Sequence, residues 1–246
     1  MRYLILSDIH ANWEGLQAVL EDAGSDYDEI LCCGDLVGYG ADPNACTDWV
    51  RANVKKVIRG NHDKACTGSE DLEWFNPVAK ASVLWTQKTL TPDNHEYLRS
   101  LAKGPVGVGE FQILHGSPVD EDEYLITVAD AEQMVGYLQS VVGFFGHTHV
   151  QGGFIFRRNG TQQIPPVPEE ADQMEIHLEP DQFYLINPGS VGQPRDADPR
   201  VAYLFYVPED RYVLYRRVAY DLAGAQAKIL AAGLPDALAR RLAIGQ

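Results

Sequence analysis

Short apolar runs recur through the first half of the chain, at residues 2–7, 29–33, 55–59, 112–115 and 141–145, each followed by glycine, aspartate, asparagine or histidine. Runs of that length with turn residues behind them predict strands. Between them the apolar spacing widens to three and four. Leu16, Val19 and Leu20 share one face of a segment over 13–23, with Asn12 placed to cap it and Gly24 to stop it. Pro43 opens a second helix to about residue 53, and helical spacing returns over 77–90, 92–101 and 130–140. Strand alternating with helix predicts βα units wound into a largely parallel sheet. The second half changes period. "GGFIFRRNGTQQI" predicts a hairpin turning at Asn159-Gly160, and 183–186, 201–207 and 211–219 predict antiparallel strands. The fold class expected is therefore α/β, a two-sheet α/β sandwich of mixed sheets flanked by helices. The proline- and acid-rich stretch 165–182 predicts a surface excursion, and 222–244 a helical tail broken at Gly233 and Pro235. With no internal repeat and no clear linker, residues 1–246 are expected to form a single domain.

Composition narrows the classes of function. A net charge of −15 argues against a broad nucleic-acid or anionic-membrane surface, because such binding depends on neutralising phosphates with Lys and Arg. A phosphate-bearing substrate would need local positive charge, which bound metal supplies. Cys32, Cys33, Cys46 and Cys66 form no CxxC pair and read as buried thiols of a reducing compartment. No apolar run is long enough to span a bilayer, and the opening "MRYLILSDIH" carries no cleavage pattern. A cytoplasmic location is the expectation.

Chemistry-bearing residues recur at the carboxyl ends of the five predicted strands, the edge of an open α/β sheet where ligands bind. The first strand ends in "SDIH" with Asp8 and His10, the second in "CGD" with Asp35, and the third in "RGNHD" with Asn61, His62 and Asp63. "LHGS" and "FFGHTH" then deliver His115, His147 and His149. Imidazole with carboxylate suits borderline divalent metals such as Mn, Fe, Zn, Ni or Co, whereas an all-oxygen set would suit Mg or Ca. A carboxylate such as Asp35 is able to bridge two cations about 3.5–4 Å apart. Each fragment alone reads equally well as a turn, a cap or a surface histidine. Five in succession, each on its own strand end, point to one rim.

Taken together, D-x-H, G-D, G-N-H-D, an isolated H and G-H-x-H make the sequence resemble the calcineurin-like metallophosphoesterases. "SDIHAN", "GDLVGYGADPN", "RGNHD", "LHGSP", "FGHTH" and "NPGSVGQPRD" are most similar to the small prokaryotic phosphoesterases related to diadenosine tetraphosphatase. The resemblance implies a hydrolase with two divalent ions, Asp8, His10 and His149 holding one, Asn61, His115 and His147 the other, and Asp35 bridging. It implies in-line attack on a phosphate ester by a metal-bridging hydroxide, with His62 facing the substrate to assist the leaving group and Asp63 orienting that imidazole. The partner implied is a small phosphodiester or phosphomonoester, including nucleotides. A dinucleoside polyphosphate is the alternative substrate, and a non-catalytic metal-binding scaffold or regulator the alternative class. Retention of all seven ligand candidates and His62 favours the enzyme.

Two departures bear on substrate. Ala11 stands where similar sequences commonly have glycine, and after "HGSP" comes "VDEDE" where a basic residue is common. The acidic run at 120–123 reads as a solvated loop. Its functional reading, repulsion of highly anionic substrates, counts against a polyphosphate. Asn12, Tyr39, Ser190 and Arg195 are further candidates for substrate contact, Arg195 because a guanidinium grips phosphate bidentately. His95 and His177 lack ligand-type neighbours and are assigned no role; Trp74, Phe75 and Trp85 read as core or pocket wall.

Overall fold

The computed structural model describes all 246 residues, the side chain of Trp74 excepted, so the reading of Trp74 lies outside the described residues. One sheet contains β1 (Tyr3–Leu6), β2 (Glu29–Cys32), β3 (Lys56–Val57), β9 (Gln173–His177), β11 (Val201–Val207) and β12 (Tyr212–Val218) in the spatial order β3, β2, β1, β11, β12, β9. The other contains β4 (Val106–Val108), β5 (Phe111–Ile113), β6 (Val142–Phe144), β7 (Gly152–Arg157), β8 (Gly160–Ile164) and β10 (Phe183–Asn187) in the order β4, β5, β6, β10, β7, β8. Each has a parallel centre, β1–β2–β3 and β5–β6–β10, extended by antiparallel strands. Two mixed sheets flanked by helices is the fold the sequence predicted.

Side-chain alternation explains why the sheets stack. In β1, Ile5 faces the second sheet, while Leu4 and Leu6 face the helices. Cys32 and Cys33 split the same way, one to each face. Between the sheets Ile5, Leu31, Leu204 and Tyr215 meet Ile113, Phe144, Tyr184 and Ile186. Outside the first sheet lie α1 (Trp13–Ala23), α2 (Pro43–Asn53), α3 (Asn61–Cys66), α4 (Pro77–Thr89) and α5 (Pro92–Ser100); α6 (Val128–Met134) covers the second. The last helices, α7 (Leu222–Ala231) and α8 (Asp236–Leu242), form a separate cluster around Tyr39.

Several elements differ from the sequence reading, among them the short strand β4, which it did not include. The stretch read as a surface excursion supplies the edge strand β9, whose apolar positions Met174 and Ile176 pack on the inter-sheet core. Two apolar residues in five left no readable run. The helix expected over 130–140 begins earlier, capped by Thr127, and ends at Met134 before a single 3-10 turn over Val135–Tyr137. Helix α3 was not anticipated: it starts inside "GNHD" and is too short for a period, its first turn instead fixed by Asp63, which accepts from the Gly60 amide.

Candidate metal centre

The parallel strands β1, β2, β5 and β6, the loop after β3 and the start of α3 deliver the candidate residues to one rim. The backbone there is bent sharply. Asp8, His10, Asp35, His147 and His149 all adopt left-handed φ, between 46° and 65°. For residues other than glycine that conformation costs roughly 1–2 kcal/mol each. Such strain gathers where function requires it and the surroundings enforce it. Here neighbouring loops enforce it: the amides of Asp8 and His10 donate to the carbonyls of Gly34 and Asp35 at 3.0 Å. Close approach also demands glycine at 60, where a Cβ would collide with Asp35 Oδ1.

Two sets of ligand-type atoms result, each gathered within 4.8 Å: Asp8, His10, Asp35 and His149, and Asp35, His115 and His147. Asp35 belongs to both. Its Oδ1 accepts the His62 amide at 2.8 Å, which turns Oδ2 toward His10 Nε2 at 3.5 Å and His115 Nε2 at 3.4 Å. Asn61 joins the second set through Oδ1, 3.2 Å from His115 Nε2. All seven predicted ligands therefore stand together in the grouping the resemblance implied.

The hydrogen bonding of the imidazoles tests whether a cation fits. His10 Nδ1 lies 3.0 Å from the Val37 carbonyl, His149 Nδ1 2.6 Å from that of Gln193, and His115 Nδ1 2.8 Å from that of Cys33. A carbonyl only accepts, so each Nδ1 carries the proton and each Nε2 of a neutral ring presents a lone pair. Yet His10 Nε2 and His149 Nε2 face one another at 2.9 Å. Two lone pairs at that distance repel unless a cation sits against both. Burial pushes both rings well below the ordinary imidazole pKa, which disfavours a proton in that place. Asp8 Oδ2 is buried and unpartnered. A divalent metal satisfies all three groups, so the donor set fits the ion.

Burial and neighbouring charge shift the ionisable groups of the rim against one another. Burial, then the charge of Asp35, raises Asp8 to about 7 despite the opposing influence of His115. Burial opposes charge on His115 too, but Asp35 beside it prevails and lifts the ring to about 10. His62 and His147 are driven down by burial, to about 4 and about 3.

His62 lies at the cleft mouth, its Nε2 3.0 Å from the Tyr39 hydroxyl and its ring edge-on to Phe75 at 5.5 Å. Its Nδ1 faces Gly38, where a Cβ would come within 2.5 Å. The expected role of Asp63 is not seen. Both its oxygens are occupied by backbone amides, Oδ1 accepting from Leu36 and Val37 and Oδ2 from Gly60, so it pins the Asp35 loop rather than the His62 ring. The group beside that ring is Tyr39, which Arg195 Nη2 also approaches at 3.3 Å.

Two candidate substrate contacts are likewise occupied by structure. Asn12 caps α1 by accepting from the Gly15 amide and donates to the Gly192 carbonyl. Ser190 is fully buried, donating to the Asp8 carbonyl and accepting from the amides of Gly192 and Gln193. Tyr39 lines the cleft, with Arg195 against it. The acidic run is not uniformly solvated: Glu121 is buried against Arg59 at 2.8 Å, and Asp122 lines the cleft. Tyr124, its ring tilted against that of His147 with centroids 3.9 Å apart, and the cleft carboxylates Glu70 and Asp71 escaped the sequence reading because no motif marks them.

A sequence profile of the calcineurin-like phosphoesterase superfamily domain matches residues 1–210. The chain belongs to the calcineurin-like phosphoesterase superfamily. The crystal structure of a metallophosphoesterase from Sphaerobacter thermophilus superposes with a TM-score of 0.86 at 37% identity, covering 100% of this chain and 99% of that one. An uncharacterized protein of Methanocaldococcus jannaschii is 34% identical over 250 residues, 98% of this chain and 97% of its own length. The symmetrical bis(5'-nucleosyl)-tetraphosphatase of Glaesserella parasuis is 29% identical over 147 residues, 56% of this chain and 53% of that protein. Membership of the calcineurin-like phosphoesterases, with a buried Asp and His cluster suited to two divalent ions, supports a metal-dependent phosphoesterase. Among the described residues no helix is long and apolar enough to cross a membrane.

Proposed function

We propose that the chain hydrolyses a phosphate ester, diester or monoester, with two divalent ions held by Asp8, His10, His149, Asn61, His115 and His147 and bridged by Asp35. The observation that carries this reading is the pair of imidazole lone pairs, His10 Nε2 against His149 Nε2 at 2.9 Å, inside a cluster that shares Asp35. Bound there, the ions would supply an activated water and neutralise charge gathering on the phosphoryl oxygens.

The protein's own groups have separable tasks. The rim would hold the ester with its leaving oxygen opposite the water, so that as the water oxygen bonds to phosphorus the leaving P–O bond breaks and the proton that the water gives up passes to solvent. His62 is neutral at pH 7, with burial depressing it to about 4, so it assists through an Nε2–H hydrogen bond to the departing oxygen. Tyr39 holds that nitrogen before substrate arrives. Arg195 approaches Tyr39 from the other side and offers its guanidinium to a phosphoryl oxygen. Asp63 acts at one remove, by fixing the loop that presents Asp35.

Chelated protein assayed with aryl phosphodiesters and monoesters, before and after reconstitution with Mn, Fe, Zn, Ni or Co, tests the reading. Turnover is expected only with metal. Full turnover after chelation, or none with any metal, contradicts it.

A further inference from the structure

We infer that the cleft beside the metal centre selects a phosphodiester with a single phosphoryl charge and a flat, neutral or cationic substituent, and rejects polyphosphates. The inference rests on the phosphoesterase reading and names the substrate class for that same site. The cleft, about 420 Å³, has the aromatic rings of Tyr39, Phe75 and Tyr124 on its walls and the carboxylates Glu70, Asp71 and Asp122 around it.

Its cations are already committed. Lys64 Nζ lies 2.6 Å from Glu70, 2.7 Å from Asp122 and 3.4 Å from Glu121, and Glu121 also holds Arg59. With Asp71 added, two cations face four carboxylates, and the rim stays negative. On the metal side stands one basic group, Arg195, whose hydrogen bonds go to Tyr39 and Gln193; among the described residues no carboxylate pairs with it. One guanidinium suits one phosphoryl group. A second phosphate would lie along the cleft against the carboxylates, and each like-charge pair at about 8 Å weakens binding by about twofold at the dielectric of water and about thirtyfold at an effective value of about 20.

The aromatic walls favour the opposite kind of group. Tyr124 leaves 47% of its surface exposed while its ring rests on His147, so a face is open beside Asp122. An aromatic face next to carboxylates suits a flat ring bearing N–H donors, or an alkylammonium group.

The test uses metal-reconstituted protein and 4-nitrophenyl phosphodiesters that differ only in the second substituent, phenyl, 2-(trimethylammonio)ethyl or 4-carboxyphenyl, with diadenosine tetraphosphate alongside. Expected kcat/KM for the neutral and cationic esters exceeds that for the carboxylate ester and the tetraphosphate by about tenfold or more. Calorimetric affinities of the matching uncleavable phosphonates follow the same order. The gap narrows to about threefold or less in the Asp71→Asn/Asp122→Asn variant, and in the wild-type protein at about 0.5 M salt, where screening removes the repulsion. Equal values across the series, preference for the anionic substrates, or a gap insensitive to both salt and the double substitution overturns the inference while leaving phosphoesterase activity standing. Absence of turnover on every ester overturns the reading beneath it as well.

Discussion

At the scale of single residues, the site separates side chains that touch ligand-type atoms from those that hold them in place. His62 lines the cleft and is absent from both clusters of ligand-type atoms, so His62→Ala should keep its metal while kcat on an aryl phosphodiester falls by about 10²–10⁴. Metal analysis beside steady-state kinetics checks this, and unchanged turnover removes His62 from the reaction. Asp63 contrasts with it. Three amides lose a buried acceptor in Asp63→Ala, which should lower unfolding free energy by about 2–4 kcal/mol in urea titration. The sequence made the two look alike, because "GNHD" sets them side by side. Only the fold shows that one faces the cleft and the other faces backbone. Asn12 caps α1 as its place in the sequence predicts, while Ser190, a candidate for substrate contact, has its hydrogen bonds already spent on the Asp8 carbonyl and on loop amides.

At the scale of elements, strand ends were legible because a glycine-flanked Asp or His after an apolar run is a local signal. The bends that aim those side chains were not, since left-handed φ at Asp8 or His149 is imposed by neighbouring loops rather than by the residue's own preference. The short α3 and the edge strand β9 lacked the length for a period. The helical pair α7 and α8 was readable, but not its position against Tyr39. Leu238 on α8 is fully buried in that cluster, so Leu238→Ala should cost about 2–5 kcal/mol, measured by urea denaturation. Because the cluster backs Tyr39, KM should rise more than metal affinity falls. An unchanged unfolding midpoint would show that the pair contributes nothing to stability.

At the scale of the whole molecule, two sheets bring loops from distant parts of the chain to one rim, where Asp and His residues gather rather than lysine, so that bound metal would offset the net charge of −15 there. Metal and proton compete for that rim. Asp8 in the metal-free protein is raised to about 7 by burial, so metal must displace its proton below that pH. Affinity should therefore climb as pH rises from about 5 to 7, by up to about tenfold per unit for each proton displaced, with proton release seen in calorimetry across buffers of different ionisation enthalpy. His115, raised to about 10, must give up its proton too, so the climb should continue above pH 7, and affinity independent of pH over the whole span would mean that neither Asp8 nor His115 is a ligand. If Asp35 joins two ions in one centre, both depend on its carboxylate. The most direct test is elemental analysis of reconstituted wild-type and Asp35→Asn protein after dialysis. Two ions per wild-type chain and loss of both in the variant are predicted, whereas a variant that keeps one ion at wild-type affinity would contradict the shared bridge.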